Sequence, residues 1–526
     1  MNELLTTSFL WRTVTAAAAW LRRSALGRGI AALGRLWRQS FFYGLFARLL
    51  CRDAATEKTA LRRGLDRCNA ALCCFGQKLM PMVRGSLLYR AYGGLFRMGR
   101  ESFFLGRLSE GGMTAILLLL VAAYAPIDWL LRDVLSLSAI SSVWDEALML
   151  LCFCWILQRR INTASPLKSA LNPLDLYLIF YLLVGGALLW LTSRFWDINI
   201  TGFRASMQYI LLFFLVTRLL RDERDLRLMY DAMVLIAAVF ALHGIAQFVL
   251  GVEIPSNWQD QAETAVRTRV FSIFANPNIM AAYMLLFAPM AIGRAYDCKT
   301  PAGKVFFWFC GICMCVACLF TMTRAAWMAL AIAAVLFALM IDRKLFVLML
   351  VCGIAACFLP FVRSRIGYLF TPQFAESNAR AGRAKRWETA FGYLDEKYAW
   401  PFGLGYGIFG GAVAAQNPIN PDFNYMYVDN YYVKILVENG IVGLTAFLTA
   451  VAGILGTGLR SVARSYRHGM KPLCAGMFCG LVAILIHSFF ESLWEEPYMM
   501  ALFFAVAGML IFVGFLWKPQ QKEENS

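Results

Sequence analysis

"KVFFWFCGICMCVACLFTMTRAAWMALAIAAVLFALMIDRK" runs from Lys304 to Lys344. Two apolar runs, 304–321 and 325–341, flank a short turn holding one cation, Arg324, while Lys304, Arg343 and Lys344 mark the far ends. Runs approaching 20 residues match a hydrocarbon layer of ~30 Å at the rise of an α-helix. The pattern predicts two helices that cross a membrane and meet in a tight turn on its far side.

The same pattern recurs along the chain. Of 526 residues, 60% are hydrophobic and only 16% charged, where a soluble protein carries roughly a quarter charged residues. The reading is an all-α polytopic membrane protein with about twelve transmembrane helices. Their expected positions are 113–131, 139–157, 174–192, 203–220, 227–250, 276–295, 304–321, 325–341, 344–362, 430–457, 472–490 and 497–517. Lys and Arg collect in the loops that follow every even-numbered run: Arg159 and Arg160, Arg221 and Arg224, Arg294 and Lys299, Arg343 and Lys344, Arg460 and Arg464. By the positive-inside rule those loops and both termini are cytoplasmic.

Three regions follow from this: 1–110, a membrane domain over 111–517, and a cytoplasmic tail over 518–526. Residues 1–110 hold eighteen Lys and Arg against six Asp and Glu, and so carry +12 of the total +17. With Arg, Leu, Trp and Phe at near-helical spacing, the region reads as amphipathic helices on an anionic leaflet, with membrane lipids rather than nucleic acid as its partner. All fifteen cysteines fall in apolar runs or basic segments, and none is spaced as a disulfide framework or zinc site.

Polar residues that break the pattern lie at the opposite face. Arg267 and Arg269 precede "FANPN", where Asn276 and Pro277 suit a helix N-cap and first turn. Arg324 occupies the short turn. The largest extracytoplasmic loop, 363–428, contains "RAKRWETAFGYL" from Arg383, an amphipathic helix with Trp387, Phe391 and Leu394 on one side. A glycine-rich "PFGLGYGIFGG" follows, which lacks the Lys-Ser/Thr of a phosphate loop. Asp429 and Asn430 open the run "VDNYYVKILVENGIVGL", either as a helix cap or as part of a site. His487, Glu491, Glu495 and Glu496 in "HSFFESLWEEP" fall at the same level. Arginines beside a carboxylate or imidazole suit a reaction in which a diphosphate leaves and a hydroxyl is deprotonated.

Over about 200–510 the chain resembles the bacterial O-antigen ligase and polymerase family. The likeness rests on "RVFSIFANPNIMAAY", "TMTRAAWMALAIA", "GRAKRWETAFGYL", "PFGLGYGIFGG" and "VDNYYVKILVENGIVGL", in that order. The resemblance implies a GT-C-like glycosyltransferase of the bacterial inner membrane. It would move glycan from a polyprenyl-diphosphate-linked donor (undecaprenyl diphosphate as carrier) to a glycan or other surface acceptor, with inversion and without metal or cofactor. It implies that Arg269 and Arg324, with Arg267 nearby, contact the donor diphosphate, and that Arg383 or Arg386 is the loop arginine. Asp429 stands where many ligases have histidine before Asn430, so either Asp429 or His487 would be the base. Ligase and polymerase both remain open, and a transporter or flippase for an anionic or lipid-linked glycan is the alternative of another class.

Overall fold

The computed structural model describes residues 60–86, 112–162, 171–253, 268–372, 382–417, 428–466 and 469–517. Arg267, the tail 518–526 and most of 1–110 lie outside the described residues.

Among the described residues the chain is helical, without strands. Helix α1 spans Ala60–Gly85, α2 Gly112–Ala122, α3 Tyr124–Trp129, α4 Trp144–Ile161, α5 Pro173–Thr192, α6 Trp196–Met207 and α7 Ile210–Leu219. Next come α8 Glu223–Leu250, α9 Pro277–Asp297, α10 Pro301–Phe320, α11 Arg324–Met340 and α12 Lys344–Cys357. Then follow α13 Pro360–Gly367, α14 Arg383–Glu396, α15 Tyr431–Ser465, α16 Lys471–His487 and α17 Pro497–Ile511, with one-turn helices at Ser138–Ser141 and Ala412–Gln416 left unlabelled.

Each of the twelve apolar runs contains helix. Among the described residues, seven helical stretches suffice by length and composition to cross a membrane, and eight do if the bent pair that begins with α2 and α3 is one span. Helices α11 and α16 are shorter apolar helices. The protein is therefore an all-α polytopic membrane protein.

Helix α9 sits at the centre, packed against α16, α10, α8 and α11, with nearly every side chain buried. Its approach to α16 is close because α16 offers glycine: a Cβ on Gly480 would collide with the Leu286 carbonyl oxygen. Small residues at such crossings substitute backbone contact for side-chain volume, as helices in lipid require. Around this core, α5 packs on α15, and α7 on α17.

Two runs expected as single helices are broken. The first turns by 69° between α2 and α3, where Ala123 leaves helical geometry and Pro126 lies in the next turn without a donor N–H. The second is the run expected at 430–457. Gly440 has φ 65° and ψ −169° inside α15, a region of backbone space open essentially to glycine alone. The chain reverses there. The rings of Tyr431 and Tyr432 lie 5.6 Å and 5.7 Å from that of Phe447, although a continuous helix would separate such residues by more than about 20 Å. Residues 431–439 thus form a short helix folded back beside the long one.

The glycine-rich loop locks this reversal. Leu404 and Gly405 donate to the carbonyls of Val437 and Glu438, and Ile441 donates to that of Trp400. Lys434 is buried between Glu438 at 2.5 Å and Glu495 at 3.1 Å, and the Gly407 amide donates to Glu438.

The basic ends of the helices are tied by ion pairs. Arg218 grips Asp175 with both terminal nitrogens, and Arg294 holds Asp231 with Nε and one terminal nitrogen. Helix α1 packs on α4 at this end, where Arg160 donates to Asn69.

Gly440→Ala is expected to cost ~1–3 kcal/mol in backbone strain alone, and its Cβ would also collide with the Pro401–Phe402 backbone. Thermal melting of the detergent-purified variant, followed by monodispersity, should fall well below wild type. An unchanged melt would refute the reversal.

Candidate active site

Five segments meet at the end of α9 opposite the Arg294 ion pairs. Asn276 caps α9 by accepting from the amides of Asn278 and Ile279, with Pro277 at the first position. This leaves the Asn278 side chain pointing from the first turn, and it acts as a junction. Its Oδ1 accepts from an Arg269 terminal nitrogen at 3.1 Å and from the Thr323 hydroxyl at 3.0 Å. Its Nδ2 donates to Glu491 Oε2 at 2.5 Å. Arg269 Nε also donates to the Thr321 carbonyl at 3.0 Å, which ties the segment before α9 to the turn between α10 and α11.

Helix α14 brings two more arginines. Its apolar face, with Ala390 and Leu394 fully buried and Trp387 and Phe391 packed beside them, covers Val428 and Val433. The Trp387 indole donates to the Val428 carbonyl, so the first turn of α14 overhangs the next residue, Asp429. Arg386 donates to Asp429 Oδ2 at 2.7 Å, Arg383 Nε lies 3.9 Å from the same oxygen, and Arg383 also donates to the Phe490 carbonyl.

The Asp-Asn pair divides its labour. Asn430 is the cap, accepting from the Tyr432 and Val433 amides. Asp429 is not, and its carboxylate turns to the arginines. Burial raises the Asp429 carboxyl above the usual range, against the downward pull of Arg386 and then Arg383.

Glu491 lies at the centre. It is 7% exposed. Burial first, then the neighbouring charge of Asp429, push its carboxyl up to about 7, while Arg383 and the Asn278 hydrogen bond oppose the shift. His487 is 1% exposed, with Nε2 3.4 Å from the Asn278 carbonyl oxygen. Arg324 follows Thr323 directly at the start of α11. Its guanidinium lies over the Tyr368 ring at 5.8 Å, within cation–π range.

Strain accompanies this arrangement. Among the described residues, six non-glycine residues have positive φ, and four of them, Ser272, Ala275, Met322 and Asp429, lie in these segments. For alanine and methionine that geometry costs ~1–2 kcal/mol each. Such strain persists where surrounding structure enforces it, commonly at functional sites.

The structure therefore joins Arg269, Arg383, Arg386, Asp429 and His487 to one cluster and sets Arg324 at its edge. Asn278 and Thr323 were given no role by the sequence. Glu491 was placed at this level among the carboxylates of "HSFFESLWEEP" but was not chosen as the base.

Fold and cluster together define a polytopic membrane protein with a cationic, carboxylate-bearing site at one end of its central helix. Residues 309–448 match the family model Wzy_C, described as O-antigen ligase, which supports membership of the O-antigen ligase family and a membrane ligase- or polymerase-like function. A search of curated proteins gave no match. The matched stretch contains Arg324, Arg383, Arg386, Asp429 and Asn430, whereas Arg269, Asn278 and Glu491 come from outside it.

Replacing the cap tests which role Asn430 has. Asn430→Ala should cost about 1 kcal/mol of stability and Asn430→Ser very little, read as melting temperatures. A serine variant that melts like wild type yet has lost activity would instead give Asn430 a substrate contact.

Proposed function

We propose that the protein transfers glycan from a polyprenyl diphosphate carrier to an acceptor hydroxyl at the outer face of the bacterial cytoplasmic membrane. The observation that carries this reading is the cluster in which Arg386 and Arg383 meet Asp429 and Asn278 joins Arg269 to Glu491, with Arg324 beside Thr323. It lies about 30 Å along α9, by helical rise, from the basic loops.

A departing diphosphate carries charge that must be met as it develops. The guanidiniums offer forked donors suited to phosphate oxygens. The N-termini of α9 and α11 add the positive ends of their dipoles, and the first turn of α11 has no side-chain cap. An apolar cavity of about 420 Å³, lined by Pro289, Trp308, Trp327 and Phe337 among others, lies between α9, α10, α11 and α12. It supports a lipid-borne donor, because a prenyl chain could lie along these helices below the Arg324 turn. Asp429, held by two arginines, would orient the acceptor hydroxyl and keep the loop arginines aimed at the diphosphate.

Polymerase and ligase would share this chemistry and differ in acceptor. A strain lacking the protein, complemented with wild type or Arg324→Ala, tests the assignment through its lipid-linked glycans. Arg324→Ala should be expressed yet fail to restore surface polymer, and Arg324→Lys should restore it partly, since a point charge replaces the fork. Accumulated single repeat units would mark a polymerase, and accumulated long lipid-linked chains a ligase. Full complementation by Arg324→Ala would refute the donor-site role.

A further inference from the structure

We propose that Glu491 accepts the proton of the acceptor hydroxyl, an assignment that rests on the transfer reaction just described. Three carboxylate or imidazole groups compete for this part, and their surroundings separate them. Asp429 Oδ2 is occupied by Arg386 at 2.7 Å with Arg383 behind it. The His487 ring is buried, with Nε2 turned to the Asn278 carbonyl oxygen. Glu491 stands between the two arginine groups: Asn278 bridges it to Arg269 and Thr323 on one side. Asp429 and Arg383 act on it electrostatically from the other.

The junction also has a chemical consequence. One amide side chain fixes both a donor-site arginine and the carboxylate, so a sugar whose diphosphate meets Arg269 would present its anomeric carbon near Glu491. The reaction then balances simply. The acceptor oxygen attacks that carbon, and the carbon–oxygen bond to the diphosphate breaks with its electron pair going to the leaving group. The hydroxyl proton passes to Glu491, which returns it to water after product departs.

The charged groups facing Glu491 are Arg383 from α14, Asp429 at the head of α15 and Glu496 in its own turn, with His487 at the end of α16 and the N-terminus of α9 beside it. With a carboxyl pushed up to about 7, the ionised form needed for proton acceptance gains population as pH rises through neutrality. That position is effective for a general base at physiological pH.

The test uses the full-length protein in detergent, with lipid-linked glycan extracted from a strain lacking it, and farnesyl diphosphate as probe of the donor site. For wild type, kcat/KM should rise with pH, with a midpoint near 7. Glu491→Gln should lower transfer about 10²- to 10⁴-fold, lose that limb, and still be stabilised thermally by farnesyl diphosphate. Glu491→Asp should recover part of the rate with a displaced limb. A glutamine variant within tenfold of wild type, or one that keeps the rising limb, overturns the assignment. So does one that loses farnesyl diphosphate binding together with transfer, because Glu491 would then only position the donor site through Asn278. If wild type neither transfers glycan nor binds farnesyl diphosphate, the transfer reading falls and this assignment with it.

Discussion

The backbone at Gly440 determines where the chemistry can sit. Its φ of 65° and ψ of −169° turn what would be one long helix into a short helix laid back against a long one. That reversal carries Asp429 and Asn430 away from the tip of the long helix and in beside the end of α16, where the Tyr431 amide donates to the Ser488 carbonyl. The charged residues Lys434, Glu438 and Glu495 hold the reversal from inside. Buried ions of this kind contribute little net stability, but removing one partner leaves an uncompensated charge. Their value here is to fix a unique register between the glycine-rich loop, the short helix and the turn before α17.

Once that register is set, the electrostatics of the cluster follow from which carboxylate is paired. Glu491 is a buried carboxylate and Asp429 a partly buried one, both near Arg383, yet they are treated differently. Asp429 receives a direct guanidinium contact from Arg386. Glu491 receives a neutral amide from Asn278 and the repulsion of Asp429. Two acids held in contrasting surroundings are free to take different parts in one reaction.

Much of this was legible in the sequence, and what was not has physical causes. Membrane class was plain, because helices of soluble domains keep a polar face toward water and so break up apolar runs of this length. The Asn276 cap and the α14 helix were plain too, since capping and amphipathic patterning are local. The fold-back at Gly440 was not read, although Lys434 and Glu438, one helical turn apart in a supposed span, were a sign that the segment is not lipid-embedded. The link between Asn278 and Glu491 joins residues 213 positions apart, and no local pattern encodes such a contact. Arg324 illustrates the middle case: the sequence marked it as a cation between two apolar helices, while its place over Tyr368 depends on the fold of the following loop.

On the proposed function, this end of the protein forms a bond rather than a passage. The most direct measurement reconstitutes the purified protein in liposomes with lipid-linked glycan and acceptor glycan outside. It then follows both product size and release of polyprenyl diphosphate. Enlarged glycan should appear together with free polyprenyl diphosphate. Glycan or its lipid carrier moved to the opposite leaflet with no change in covalent structure would contradict it.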